Sequence, residues 1–263
     1  MLSVIIITKN EAHAIADCLR TVAWADEIIV VDSGSSDDTV NICKKFGANV
    51  TASQDWPGFG AQKNRALALA TQPWVLSLDA DERISTELQM EIKSVIAENA
   101  DMSYRMPRSS SYCGQFMHHS GWSPDYVTRL FKRGYARFSD DLVHERLVTT
   151  QVCATLKNAI LHISYVNLEE VLDKVNRYST DGALMSLALG RSASLGSAVA
   201  HGVWAFIRTY FLRLGFLDGK MGFVLAVSNA ETTYYRYLKL AFLRQNSQQI
   251  QIIKPKNRCS ANQ

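Results

Sequence analysis

Apolar and polar positions alternate in two rhythms along the first hundred residues. Leu2–Thr8 is an unbroken, β-branched run, the pattern of a strand covered on both faces. Residues 12–22 place Ile15, Leu19 and Val22 on one helical stripe. Glu27–Asp32 is a second buried strand; the turn after it offers Ser36 as N-cap of a helix over residues 37–46. Residues 48–52 predict a third strand and residues 60–70 a helix. Residues 74–78 predict a strand ending at Asp79, and residues 86–97 a further helix. Strands alternating with helices at this spacing predict a parallel sheet of βαβ units.

Beyond residue 100 the rhythm changes. Residues 104–108, 126–131 and 159–163 predict strands joined by polar turns, a mixed region covering the first half. From Leu168 to about Arg244 the pattern is mainly helical, and residues 245–263 are polar, with Pro255. No stretch of about 18 apolar residues occurs, so no spanning helix is expected. The first apolar run lacks the length, basic flank and cleavage site of a signal peptide.

Charge changes this picture in one respect. Residues 1–170 carry 16 Lys/Arg against 21 Asp/Glu, and residues 171–263 carry 12 against 4. The second half is therefore basic, and its Arg and Lys are interleaved with aromatics from Trp204 to Tyr237. That composition fits an anionic partner, specifically a membrane interface. No motif that reads RNA or DNA occurs, so nucleic acid is not expected. The five cysteines are scattered with no CxxC, which points to reduced thiols of a cytoplasmic protein and to no zinc ribbon.

The candidate chemistry sits where strands end. Asp32 and Asp79 each follow an apolar strand, and open parallel sheets bind ligands beyond the carboxyl ends of their strands. Thr8, Lys9, Asn10 and Glu11 leave the first strand on the same predicted edge. Asp79-Ala80-Asp81 holds two carboxylates at i, i+2. A nucleoside diphosphate would be repelled by such a pair alone, whereas a divalent cation, Mg²⁺ or Mn²⁺, bridges carboxylate to phosphate. The cation then stabilises charge on the leaving diphosphate. Asp32 is suited to accept hydrogen bonds from a uracil N–H or a ribose hydroxyl. Gln62 and Lys63 open a helix near this edge, with Lys63 in reach of phosphate. His118 and His119 are adjacent, point apart on a strand, and are discounted as a metal pair.

Over roughly residues 1–100 the chain resembles glycosyltransferase family 2. The segments SVIIITKNEA, EIIVVDSGSSDDT, QKNRALALA and WVLSLDADE occur in that family's order and spacing. The resemblance implies the α/β GT-A fold: a Rossmann-like, mostly parallel sheet flanked by helices, here with a mainly helical C-terminal region. It implies inversion at the anomeric carbon, Asp32 as base- or ribose-binding aspartate, and Asp79 and Asp81 as the DxD pair with Asp81 on the metal. Residues 1–100 are then the nucleotide-sugar-binding half and residues 101–167 the acceptor-side half. Residues 168–244 form a membrane- or acceptor-associating region, followed by the polar tail 245–263.

The segments WSPDYVTRLFKR and FSDDLVHERL and the basic, aromatic tail are most similar to bacterial lipopolysaccharide inner-core β-1,4-glucosyltransferases. That similarity implies a UDP-sugar donor, UDP-glucose first, and a heptose of a lipid-linked anionic glycan as acceptor. It also implies a cytoplasmic enzyme held peripherally on the inner-leaflet surface of the bacterial inner membrane. Inversion requires a general base on the acceptor side. The candidates are Asp140, Asp141 and Glu145, with Glu145 preferred; His144 would complete the metal shell or contact phosphate. The alternatives are a polyprenyl-phosphate or other cell-surface glycan glycosyltransferase of the same fold, or a non-catalytic module that binds nucleotide sugar or lipid.

Overall fold

The computed structural model describes residues 1–139 and 145–253. Asp140, Asp141, His144 and Cys259 lie outside the described residues. The chain forms two compact units. The first comprises Met1–Ser111 and Trp122–Ser164; the second comprises Tyr112–Gly121 and the chain from Tyr165 onward.

In chain order, the elements begin with β1 (Leu2–Thr8), α1 (Ile15–Val22), β2 (Glu27–Asp32), α2 (Thr39–Lys45), β3 (Asn49–Ala52) and α3 (Phe59–Leu69). Then come β4 (Trp74–Asp79), β5 (Glu82–Ile84), α4 (Thr86–Glu98), β6 (Met102–Tyr112) and β7 (Gln115–Phe116). The strands β8 (Tyr126–Lys132), β9 (Ala136–Phe138), β10 (Leu147–Thr149), β11 (Val152–Thr155) and β12 (Ile160–Tyr165) follow.

The main sheet runs β3-β2-β1-β4-β8-β6-β12-β5. It is mixed. The first four strands are parallel, as the βαβ rhythm predicts, and β8 then pairs antiparallel with β4. Alternate residues of β1 face opposite sides. Val4 and Ile6 pack with Ile15, Leu19, Leu88 and Ile92 under α1 and α4. Ile5 and Ile7 pack with Val31, Val75 and Ala66 under α3. Every residue of β1 is buried, which is why its sequence lacks strand alternation. Each large aliphatic side chain buried in this way contributes roughly 1.5–3 kcal/mol.

Local differences from the sequence reading have identifiable causes. The second helix begins at Thr39, and Ser36 does not cap it. The Ser36 N–H and hydroxyl instead donate to Asn10 Oδ1, at 2.7 and 3.3 Å. The first helix begins at Ile15 because the Glu11 carbonyl accepts from Ala14 and Ile15 and closes turns ahead of it. The strand expected at residues 104–108 runs through Met102–Tyr112, and β5, β7, β9, β10 and β11 are additional short strands.

The second unit is helical beyond β7, as expected. It contains α5 (Leu168–Ala188), α6 (Leu195–Ile207), a π-helical turn at Arg208–Leu212, a 3-10 turn at Gly215–Asp218, and α7 (Gly219–Ile253). Asn167 caps α5, and Ser194 with Ser197 forms a capping box on α6. Helix α6 crosses α7 at Gly202, where a Cβ would lie 3.1 Å from that of Tyr234. His201 stacks on Tyr237 at 4.0 Å between ring centroids. No described helix is long and apolar enough to cross a membrane. Cys18, Cys43, Cys113 and Cys153 are free thiols, the first two buried; burial pushes the Cys43 thiol up to about 11.

Candidate active site

Parallel register brings the strand-end residues together. Thr8 pairs with Asp32 across β1 and β2, and Ile7 pairs with Asp79 across β1 and β4. A cavity of about 450 Å³ opens at this edge, lined by Thr8, Lys9, Glu11, Trp56, Phe59, Asp79, Ala80, Asp81 and His162. Trp56 and Phe59 are both exposed and meet edge to face at 4.8 Å.

Asp32 is buried and organises the turn that follows it. Its Oδ2 accepts the N–H of Gly34 and Ser35 at 3.0 and 2.9 Å; its Oδ1 accepts the hydroxyls of Ser35 and Thr8 at 2.5 and 3.1 Å. The same turn meets Asn10, whose N–H donates to Ser35 Oγ at 2.8 Å and whose backbone is left-handed. Lys9 is exposed. The Glu11 N–H donates to Thr39 Oγ1.

Four consecutive residues of α3 each tie down a different element. Gln62 donates to Ser33 Oγ at 2.8 Å. Lys63, only 3% exposed, places its ammonium 2.9 Å from Asp79 Oδ1 and 2.7 Å from Glu145 Oε1. Asn64 both accepts from and donates to the backbone of Phe138. Arg65 binds both oxygens of Asp55, fixing the loop that carries Trp56. Gly60 permits this close approach, since a Cβ there would lie 1.8 Å from the Ser139 carbonyl oxygen.

The two carboxylates of the DxD segment do different things. Asp79 is held by Lys63 and by Arg129, whose Nη2 lies 2.5 Å from Asp79 Oδ2. Burial raises its carboxyl, but the two cations outweigh burial and hold it well below the usual carboxylate range. Arg129 also binds Glu82, which is fully buried, at 2.7 Å; burial disfavours the guanidinium, yet Asp79 and Glu82 together raise it further. Glu82 in turn accepts the Asp79 N–H at 3.0 Å. Asp81 faces the other way: its Oδ2 lies 3.1 Å from His162 Nε2. Ser110 Oγ contacts His162 Nδ1 at 2.9 Å and fixes the ring.

Among the described residues, then, Asp81 and His162 are the pair open to a cation, and no group of three His, Cys, Asp or Glu converges. One carboxylate oxygen and one imidazole nitrogen can both serve as donors to a divalent cation. Two protein donors leave most of the coordination shell to substrate oxygens and water. Glu145, 15% exposed at its side chain, lies beyond Lys63 on a second cavity of about 470 Å³, lined also by Arg108, Tyr126, Arg129 and Arg146.

His162, Arg129 and Glu82 carry no role in the sequence reading. The signals were present: a histidine inside the apolar strand AILHISY, an arginine before LF in TRLF, and a glutamate one residue past the DxD segment. His162 reaches the site because β12 pairs antiparallel with β5, placing His162 opposite Glu82.

Residues 3–161 match the family described as Glycosyl transferase family 2. An uncharacterized glycosyltransferase of Rickettsia prowazekii is 32% identical over 262 residues, covering 95% of this chain and 89% of its own. The lipopolysaccharide core biosynthesis glycosyltransferase LpsC of Rhizobium meliloti is 28% identical over 255 residues, covering 90% and 93%. Among solved structures, S. aureus TarS 1-349 in complex with UDP is similar at 17% identity with a TM-score of 0.49, covering 94% of this chain and 91% of that one.

Proposed function

The chain belongs to glycosyltransferase family 2, and from that premise we propose that it is an inverting, metal-dependent hexosyltransferase that uses a UDP-sugar, UDP-glucose first. Its acceptor on this reading is a heptose of a lipid-linked, anionic lipopolysaccharide core. The division of labour inside Asp79-Ala80-Asp81 carries the reading. Asp79 is ion-paired with Lys63 and Arg129, cations it shares with Glu145 and Glu82, so its charge is partly offset where a diphosphate would lie. Asp81 and His162 remain to hold a divalent cation. Such a cation, when bound, supplies Lewis-acid stabilisation to the departing diphosphate.

The chain's own residues account for the other steps. Thr8, Lys9 and Glu11 border the nucleoside, and exposed Trp56 and Phe59 line the same cavity and offer an aromatic face against which a base stacks. The acceptor enters on the Glu145 side of Asp79. Its hydroxyl oxygen forms the new bond to the anomeric carbon from the face opposite UDP. The bond to the diphosphate oxygen breaks with its electron pair, and the hydroxyl proton passes to Glu145. Lys63 positions the Glu145 carboxylate by an ion pair at 2.7 Å. Asp140 and Asp141 are the other candidates for this proton. The LpsC relative supports the lipopolysaccharide-core acceptor, and that acceptor's lipid supports a peripheral position on the cytoplasmic face of the inner membrane.

Titration calorimetry with UDP tests the donor half. The expected result is binding that strengthens with Mn²⁺ and is lost in Asp81→Ala. Equal affinity with and without the ion, in both proteins, would overturn the metal assignment.

A further inference from the structure

We propose that the outer face of α6 and the turns that follow it form a docking surface for an anionic phospholipid bilayer. The proposal rests on the reading of the acceptor as lipid-linked and adds to it the residues that meet the lipid. On α6, Val199, Val203 and Ile207 recur every fourth residue, and all three are exposed, as is Trp204 beside them. Beyond the helix, Phe211, Leu212, Leu214, Phe216 and Leu217 are exposed within seven positions of one another. A contiguous apolar surface of this kind marks a binding face in a water-soluble fold. Helix α6 has 13 residues and is about 20 Å long. A bilayer core is about 30 Å thick, so a helix of that length lies along the interface and does not span it.

The fold holds this face outward. Asp218 is buried and accepts the N–H groups of His118 and His119 at 3.0 and 3.1 Å and the Ser120 hydroxyl at 2.6 Å. Gly215 packs so closely that a Cβ would lie 2.7 Å from the Thr209 carbonyl oxygen, and one on Gly222 would lie 1.8 Å from that of Gly215. The polar and small positions of the turn thus face inward, and its large apolar ones are left outside.

Charge selects the partner. Arg191, Arg208, Arg213 and Lys220 are exposed around this face. Two carboxylates lie in or beside this region, Asp218, which is buried, and Glu231, which lines a cavity with Val199 and Val203, so the cations outnumber them. A second copy docking isologously would set these cations against their own kind. An anionic lipid surface supplies both the apolar phase and the opposite charge.

Sedimentation of the full chain with vesicles of phosphatidylcholine, alone or mixed with phosphatidylglycerol, tests this. The native protein is expected to pellet with the anionic vesicles and far less with the neutral ones. A variant carrying Phe211→Ser, Leu212→Ser, Phe216→Ser and Leu217→Ser should lose about tenfold or more in partitioning. A second variant, Arg208→Glu with Lys220→Glu, leaves the packed positions untouched and should lose only the preference for anionic vesicles. Native protein that stays in the supernatant with both vesicle types would overturn the proposal. So would pelleting that neither variant reduces. A dimer in analytical ultracentrifugation that the serine variant dissociates, without vesicle binding, would assign the face to a second copy instead. UDP binding measured on the same samples separates this outcome from failure of the transferase reading: either can be lost while the other persists.

Discussion

Asp81 Oδ2 and His162 Nε2 lie 3.1 Å apart across 81 positions of chain. Ser110 holds the far nitrogen of the same ring at 2.9 Å. If this pair is the cation site, His162→Ala should weaken Mn²⁺ binding strongly, read by electron paramagnetic resonance of the free ion. Ser110→Ala should weaken it less, since loss of a group that orients a metal-binding histidine costs roughly 10–100-fold in affinity. Mn²⁺ affinity unchanged in His162→Ala would remove the pair from the metal site.

Glu145 shares Lys63 with Asp79, at 2.7 and 2.9 Å. Glu145→Gln keeps the size of the side chain and removes its ability to accept a proton. Donor binding should therefore persist while transfer slows by about 10²–10⁴-fold, the usual worth of general-base catalysis. Near-native turnover in this variant would transfer the role to Asp140 or Asp141.

Arg129 compensates a carboxylate that has no access to water: Glu82 is fully buried. Breaking one partner of such a pair strands the other. Arg129→Met should destabilise the protein by about 3–5 kcal/mol in urea unfolding. The double change Glu82→Gln with Arg129→Met should recover part of that loss. A double variant less stable than the single one would mean that Arg129 acts through packing alone.

Acid should act through Asp79. Its carboxyl is depressed in the folded state and has an ordinary value near 3.8 when unfolded. A depressed group contributes stability that is complete above its unfolded value and is lost as the pH falls from there toward the folded value. Urea midpoints should therefore drop between about pH 5 and pH 2, and Asp79→Asn should flatten that slope. An identical slope in the variant would place the acid sensitivity elsewhere, for example at Glu91, whose carboxylate accepts the N–H groups of Lys157 and Asn158.

How much of this was legible depended on distance along the chain. The unbroken apolar runs of β1, β2 and β4 announced a sheet buried on both faces, and parallel register then forced Thr8, Asp32 and Asp79 to one edge. His162 and Arg129 were not legible. They arrive on antiparallel strands whose pairing partners lie far away in sequence, and no local period encodes such pairing. Ser36 carried a capping signal, but Asn10, from another strand end, took its hydroxyl. The three-residue strands β9 and β10 are too short and too exposed to leave an alternating pattern.

The most direct test of the central claim is UDP release by the purified protein with Mn²⁺ and a panel of UDP-sugars, with and without heptose-bearing truncated lipopolysaccharide. The predicted result is acceptor-dependent release, strongest with UDP-glucose, abolished by chelation and by Asp81→Ala. UDP binding without release from any sugar, or release that Asp81→Ala leaves undiminished, would contradict it.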